Sequence, residues 1–329
     1  MCRKTTIACS SLVFLGLFIA GPVAASQVVA INSADFDRWN YAFNGTPGFR
    51  GAAPTFSAVG AGAFDNFDGQ FLLGFDTAAA GVPALGPNEK YVIHAVTVSV
   101  THSSGSFVYD PTFDSYATHL DAADPDFLPD DDAGRPIEIY GAGLRGGYSG
   151  FGFAGGITGP PTFNEGSPYA FADPTLPKVR NAFPFDPAFG DVANPVDDRL
   201  LTAAPWATAQ AAGLNPGDLV PQGVPGLSAG QTFTFEIDLN RPGVGDYLTE
   251  GLEGGGLLFS VVSLHTTNQA GGSNPNFYTH DSFDPASVPP ALTIDFDVVA
   301  TPEPGTLTLG LIALCLLSIV ARRSRPRRG

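Results

Sequence analysis

Residues 232–239 read TFTFEIDL, and the order of side chains in that octet decides the fold class. Phe233, Phe235, Ile237 and Leu239 fall on one side of an extended chain, and Thr232, Thr234, Glu236 and Asp238 on the other, because strand side chains alternate with period two. Residues 291–298, ALTIDFDV, repeat the pattern with Leu292, Ile294, Phe296 and Val298 against Thr293, Asp295 and Asp297. Residues 94–101, HAVTVSVT, do so with Val96, Val98 and Val100 against Thr97, Ser99 and Thr101. One dry face and one wet face is the pattern of antiparallel sheet packed on a second layer. Further strands are expected at 70–75, 106–109, 137–140 and 257–264; the last is apolar nearly throughout, as suits burial on both faces.

The chain has 40 glycines and 29 prolines without a collagen-like period, so turns are plentiful. Helical pattern is scarce. Residues 199–212, RLLTAAPWATAQAA, form an Ala- and Leu-rich stretch that Pro205 limits or kinks, and 246–253 fits a short helical turn before three glycines. The expected fold is all-β, an antiparallel β-sandwich with long loops. The body spans 27–300. Its loop-rich middle, 121–194, is a place where two subdomains would divide, but neither half alone offers enough strands for a closed two-sheet core, so one large sandwich is preferred.

Both ends of the chain read as processing segments. Arg3 and Lys4 precede an apolar run from Ile7 to Ala20, a Gly21-Pro22 break and small residues through Ser26, which is the layout of a secretory signal peptide over 1–26 and makes signal peptidase a partner. All three cysteines lie in the end segments, at 2, 9 and 315. An exported body without cysteine is no disulfide scaffold and must rest on a sizeable core, which bound ions would aid. Nine Lys and Arg against 31 Asp and Glu leave residues 27–302 near −22. That surface repels phosphate backbones, which excludes nucleic acid as a partner, and attracts divalent cations.

Candidate sites are few. Asp124, Asp126, Asp130, Asp131 and Asp132 crowd one loop and supply the oxygens a structural calcium takes, though not at EF-hand spacing; a solvated acidic loop is the competing reading. Trp39 and Tyr41, with Phe43 next in the alternation, fit a platform for stacking sugar rings, or equally a core face. Catalytic patterns are poor. GYSGF at 147–151 misses the last glycine of a nucleophile elbow, no HExxH occurs, and the five histidines at 94, 102, 119, 265 and 280 are scattered. A non-enzymatic protein is expected, ahead of a polysaccharide hydrolase with paired carboxylates.

The tail is more specific. Pro302, Glu303 and Pro304 lead into an apolar run, 305–321, that is long enough to span a bilayer as a helix, and Arg322, Arg323, Arg325, Arg327 and Arg328 follow. Residues 301–329 resemble the PEP-CTERM sorting signal. The resemblance implies an exosortase-type sorting protease as partner, membrane anchoring during sorting, and delivery to the cell surface or extracellular matrix, where polysaccharide is the usual company. More loosely, 190–300 are similar to jelly-roll sandwiches of the carbohydrate-binding-module kind, which implies sugar binding from fold alone.

Overall fold

The computed structural model describes residues 26–154, 159–169, 180–266 and 274–301. Residues 1–25 of the expected signal peptide, the Pro302–Pro304 triplet, the apolar run 305–321 and the five terminal arginines lie outside them. Among the described residues no helix is long and apolar enough to cross a membrane.

In chain order the strands are β1 (Gln27–Ile31), β2 (Phe36–Asn40), β3 (Ala52–Pro54), β4 (Phe56–Ser57), β5 (Phe67–Asp76), β6 (Glu89–Ser104), β7 (Ile137–Leu144), β8 (Gly150–Phe151), β9 (Thr162–Phe163), β10 (Ala182–Asp186), β11 (Gly190–Asp191), β12 (Ala207–Thr208), β13 (Thr232–Glu236), β14 (Gly256–Ser263), β15 (Asn276–Tyr278) and β16 (Ala291–Ala300). One sheet runs β1-β16-β6-β15-β3, with β13 also on β6; the other runs β11-β10-β7-β14-β5-β2, with β12 on β7 and β4 on β5. Pairing within both is antiparallel. A short parallel pair, β8 and β9, lies apart.

The alternating octets are the facing layers. Phe233 and Phe235 of β13, Val96, Val98 and Val100 of β6, and Leu292, Ile294 and Phe296 of β16 share one core with Phe71, Leu73 and Phe75 of β5 and with Ile139, Phe259 and Val261. Phe71 and Phe277 stack across the layers with centroids 6.2 Å apart. β14 is buried at every position, because its second face is covered too: Phe36, Leu72, Ala142, Tyr148, Phe163, Ala182 and Leu258 form a smaller cluster there. The middle region, 121–194, supplies β7 and β10 to the larger sheet.

Two local expectations fail. Residues 199–212 form no helix; they turn and add β12 to the edge of β7. Pro205 cannot donate in a helix interior, and the adjacent Trp206 gains more by inserting into the core, where it is 1% exposed and its Nε1 donates to Asp186 Oδ2 at 3.2 Å. Residues 106–109 form no strand either; Val108 makes one bridge, to Leu219. The expected short helix is present as α1, Val244–Glu253.

Candidate functional site: a cleft beside the larger sheet

Helix α1 closes one end of the sandwich. Val244, Leu248 and Leu252, spaced four residues apart on one face, are buried in the main core. Tyr247 and Glu250 are turned to a cleft of about 450 Å³. Its floor is the outer face of β7 and β14 at Ala142, Gly256 and Leu258, and its far wall is the 148–153 segment.

The walls are aromatic. Phe151 and Phe153 meet edge to face, with centroids 5.6 Å apart and planes at 84°, and Tyr148 packs edge-on against Phe163 at 5.3 Å. Gly256 makes this approach feasible, because a Cβ there would sit 2.9 Å from Phe153 Cζ and 3.2 Å from Phe151 Cζ. Tyr247 is held by its hydroxyl, which donates to Leu258 O at 2.6 Å and accepts from the Ala142 N–H at 3.0 Å. Burial raises its pKa, so it stays a neutral phenol. Ser149 adds a hydroxyl, and Glu250, exposed, is the one carboxylate lining the cleft among the described residues. Of these residues the sequence singled out only GYSGF at 147–151, as an incomplete nucleophile elbow. The role of that stretch as a wall depends on a helix a hundred residues away.

The acids named from sequence separate into two groups. Asp124 and Asp126 both pair with Arg199, whose Nη1 lies 3.0 Å from Asp124 Oδ2. Asp130, Asp131 and Asp132 line a second cleft of about 290 Å³ with Asp114 and Thr112. There Arg135 bridges Asp130 at 2.6 Å and Asp114 at 2.9 Å, and Thr112 Oγ1 donates to Asp132 Oδ2 at 2.9 Å. Ligand atoms of Asp110, Asp114 and Asp132 lie within 4.8 Å of one another. Burial raises the pKa of Asp114 to about 6, and that of Asp110 is raised for the same reason. Asp110 and Asp114 escaped the sequence reading because they precede the acidic run and join it only through the turn at 115–120. Arginine guanidinium groups thus stand beside three of the five acids named for calcium.

Trp39 and Tyr41 lie on one face of the chain as the alternation requires, but their rings stack on each other at 4.6 Å. Phe56 meets both edge-on, and the Arg50 guanidinium lies 5.9 Å from the Trp39 ring. Both rings are half-buried, and the exposed members of the neighbourhood are Phe43 and Phe49.

No match to the chain was found among curated proteins. Residues 300–328 match the family model of the PEP-CTERM protein-sorting motif, so this chain carries a PEP-CTERM tail, the mark of an exported, surface-directed protein processed by exosortase.

Proposed function

We propose that the body is a non-catalytic carbohydrate-binding sandwich of the cell surface or extracellular matrix, jelly-roll-like in kind, and that the sugar enters the cleft between α1 and the 148–153 wall. The carrying observation is the lining: aromatic rings and hydroxyls around the floor of Ala142, Gly256 and Leu258, with Glu250 as the one carboxylate among the described residues. Aromatic faces cover the apolar side of a pyranose, and a few polar groups fix its hydroxyls. Glycoside hydrolysis takes two carboxyl groups about 5 to 9.5 Å apart across the bond, so a lining with one favours binding over cleavage. Calcium is the lesser reading of the acidic loop, since Asp124, Asp126 and Asp130 are already paired with Arg199 and Arg135.

The test is a glycan array probed with the full chain, followed by titration of the best hits. Binding that is lost in Gly256→Val, with no reducing ends released on long incubation, is the expected result. Release of reducing ends, or binding unaffected by filling the cleft, overturns the reading. Sorting is tested separately: with Pro302 and Pro304 replaced by Ala, the protein is expected to stay in the membrane fraction that the natural chain leaves.

A further inference from the structure

A second constellation lies on β2, at the edge of the larger sheet. Asp37 of β2, Glu165 from the covering segment after β9, and His280 and Asp281 just after β15 bring ligand atoms within 4.8 Å of one another. These segments are far apart in sequence and belong to different layers. Asp37 is 1% exposed. Its Oδ2 accepts the His280 N–H at 2.6 Å, while Oδ1 receives no aligned hydrogen bond, although His280 Nδ1 lies 3.0 Å from it. A buried carboxylate oxygen left in that condition is expensive unless something positive occupies its lone pairs. Glu165 Oε1 lies 3.8 Å from the same ring nitrogen, and Asp281 Oδ1 lies 3.4 Å from the opposite one, Nε2.

We propose that Asp37 Oδ1, Glu165 Oε1 and His280 Nδ1 are the ligands of a divalent cation of the zinc or manganese class, with Asp281 orienting the imidazole through Nε2. Two ligands about 2.1 Å from one ion lie about 3.0 Å apart in octahedral and about 3.4 Å apart in tetrahedral geometry, and the 3.0 and 3.8 Å separations here bracket that range. One imidazole with carboxylates suits zinc or manganese, whereas calcium takes oxygen alone. A carboxylate on the far ring nitrogen is the usual way a ligating histidine is held.

The charge also fits. Three carboxylates are offset by one buried guanidinium, that of Arg38, which points to the other face of β2 and donates to the main-chain oxygens of Glu165 at 3.1 Å and Ser167 at 2.6 Å. With His280 neutral, as a ligating histidine must be, the remaining −2 matches a divalent ion. Gly48 leaves the space for Glu165, since a Cβ there would fall 2.5 Å from Glu165 Cγ. Glu165 and His280 are partly exposed, so one side of the site is open to water, which completes the coordination. In a body without cysteine, such an ion does the work of a disulfide by tying the edge strand, its cover and the facing layer together.

The experiment uses the full chain in detergent, stripped with chelator and titrated calorimetrically with zinc, manganese and calcium chlorides. One zinc or manganese ion per chain is expected, with binding weakened in His280→Ala and Glu165→Gln by more than the roughly 10–100-fold lost when only an orienting group is removed. Asp132→Asn, in the other acidic cluster, is expected to leave binding unchanged. Circular dichroism establishes that each variant is folded; His280, the more exposed partner, keeps the test decisive should Asp37→Asn unfold the protein. No binding by the folded natural chain, binding indifferent to His280 and Glu165, or a preference for calcium overturns the proposal. None of these results bears on the sugar cleft.

Discussion

Glu138 of β7 is fully buried, and it sits among the hydroxyls of Tyr116, 2.9 Å from its Oε2, and Tyr140, 3.3 Å away. Burial pushes its pKa up to about 8, and the charges of Asp114 and Asp110 add to the rise. In the unfolded chain the same group titrates near 4.5. Between those values the folded state holds a proton that the unfolded state has released. The unfolded state then binds fewer protons, so stability falls as pH rises through this window. It is complete below about pH 4.5 and lost progressively toward pH 8. At about 1.4 kcal/mol per unit, the ceiling on the loss is roughly 5 kcal/mol; a water reaching the carboxylate would reduce it. Glu138→Gln keeps a donor and an acceptor in the same place and removes the titration. Urea unfolding of both proteins at about pH 5, 6.5 and 8.5 isolates the effect, because the other shifted groups cancel in the difference. These include Glu165, raised to about 7, and His119 and His265, lowered to about 4 and about 3. The variant is expected to be equal or less stable at the acid end and to gain on the natural protein by several kcal/mol at the alkaline end. Parallel profiles would refute the assignment of a neutral Glu138.

Other perturbations test the remaining supports. Arg180 is buried between Asp65 and Asp68, with Nη1 donating to Asn40 O at 3.0 Å and Nη2 to Asp68 O at 2.9 Å. Arg180→Met strands two buried carboxylates and is expected to lower stability by about 3–5 kcal/mol in chemical denaturation. Trp206→Ala empties a site shared with Tyr247 and Phe259 and should lower stability by a similar 3–5 kcal/mol, with Trp206→Phe well below that. Arg199→Ala removes exposed pairs only and is expected to change stability by less than about 1 kcal/mol; a larger loss in the same assay would show that the Asp124–Asp126 turn depends on it.

What the sequence made legible followed from period two. The octets at 94, 232 and 291 appear as β6, β13 and β16 with the apolar side inward, because alternation is a local property that tertiary context did not override. Residues 199–212 misled for the complementary reason. Alanine and leucine favour helix only weakly, and one burying tryptophan beside a proline outweighed them. The residues of the two proposed sites were harder to see. Asp37 reads as an ordinary polar residue beside Arg38, yet it meets His280 across more than two hundred residues. Glu250 lies in a helix whose pattern announces only its buried face. Trp39 and Tyr41 were placed correctly on one face, but whether their rings face a ligand or each other depends on Phe56 and Arg50, and alternation carries no information about that.

The path of the chain links the tail to the cleft. β16 pairs with β6 until Ala300 lies opposite Glu89, and Thr301 N–H donates to Asn88 O at 2.7 Å, one residue before the sorting triplet begins. The same end of β6 lies beside α1: Tyr91, buried, has its pKa raised first by that burial and then by the charge of Glu253 at the end of the helix. The tail therefore leaves the sandwich at the end that α1 closes, and α1 is also one wall of the cleft.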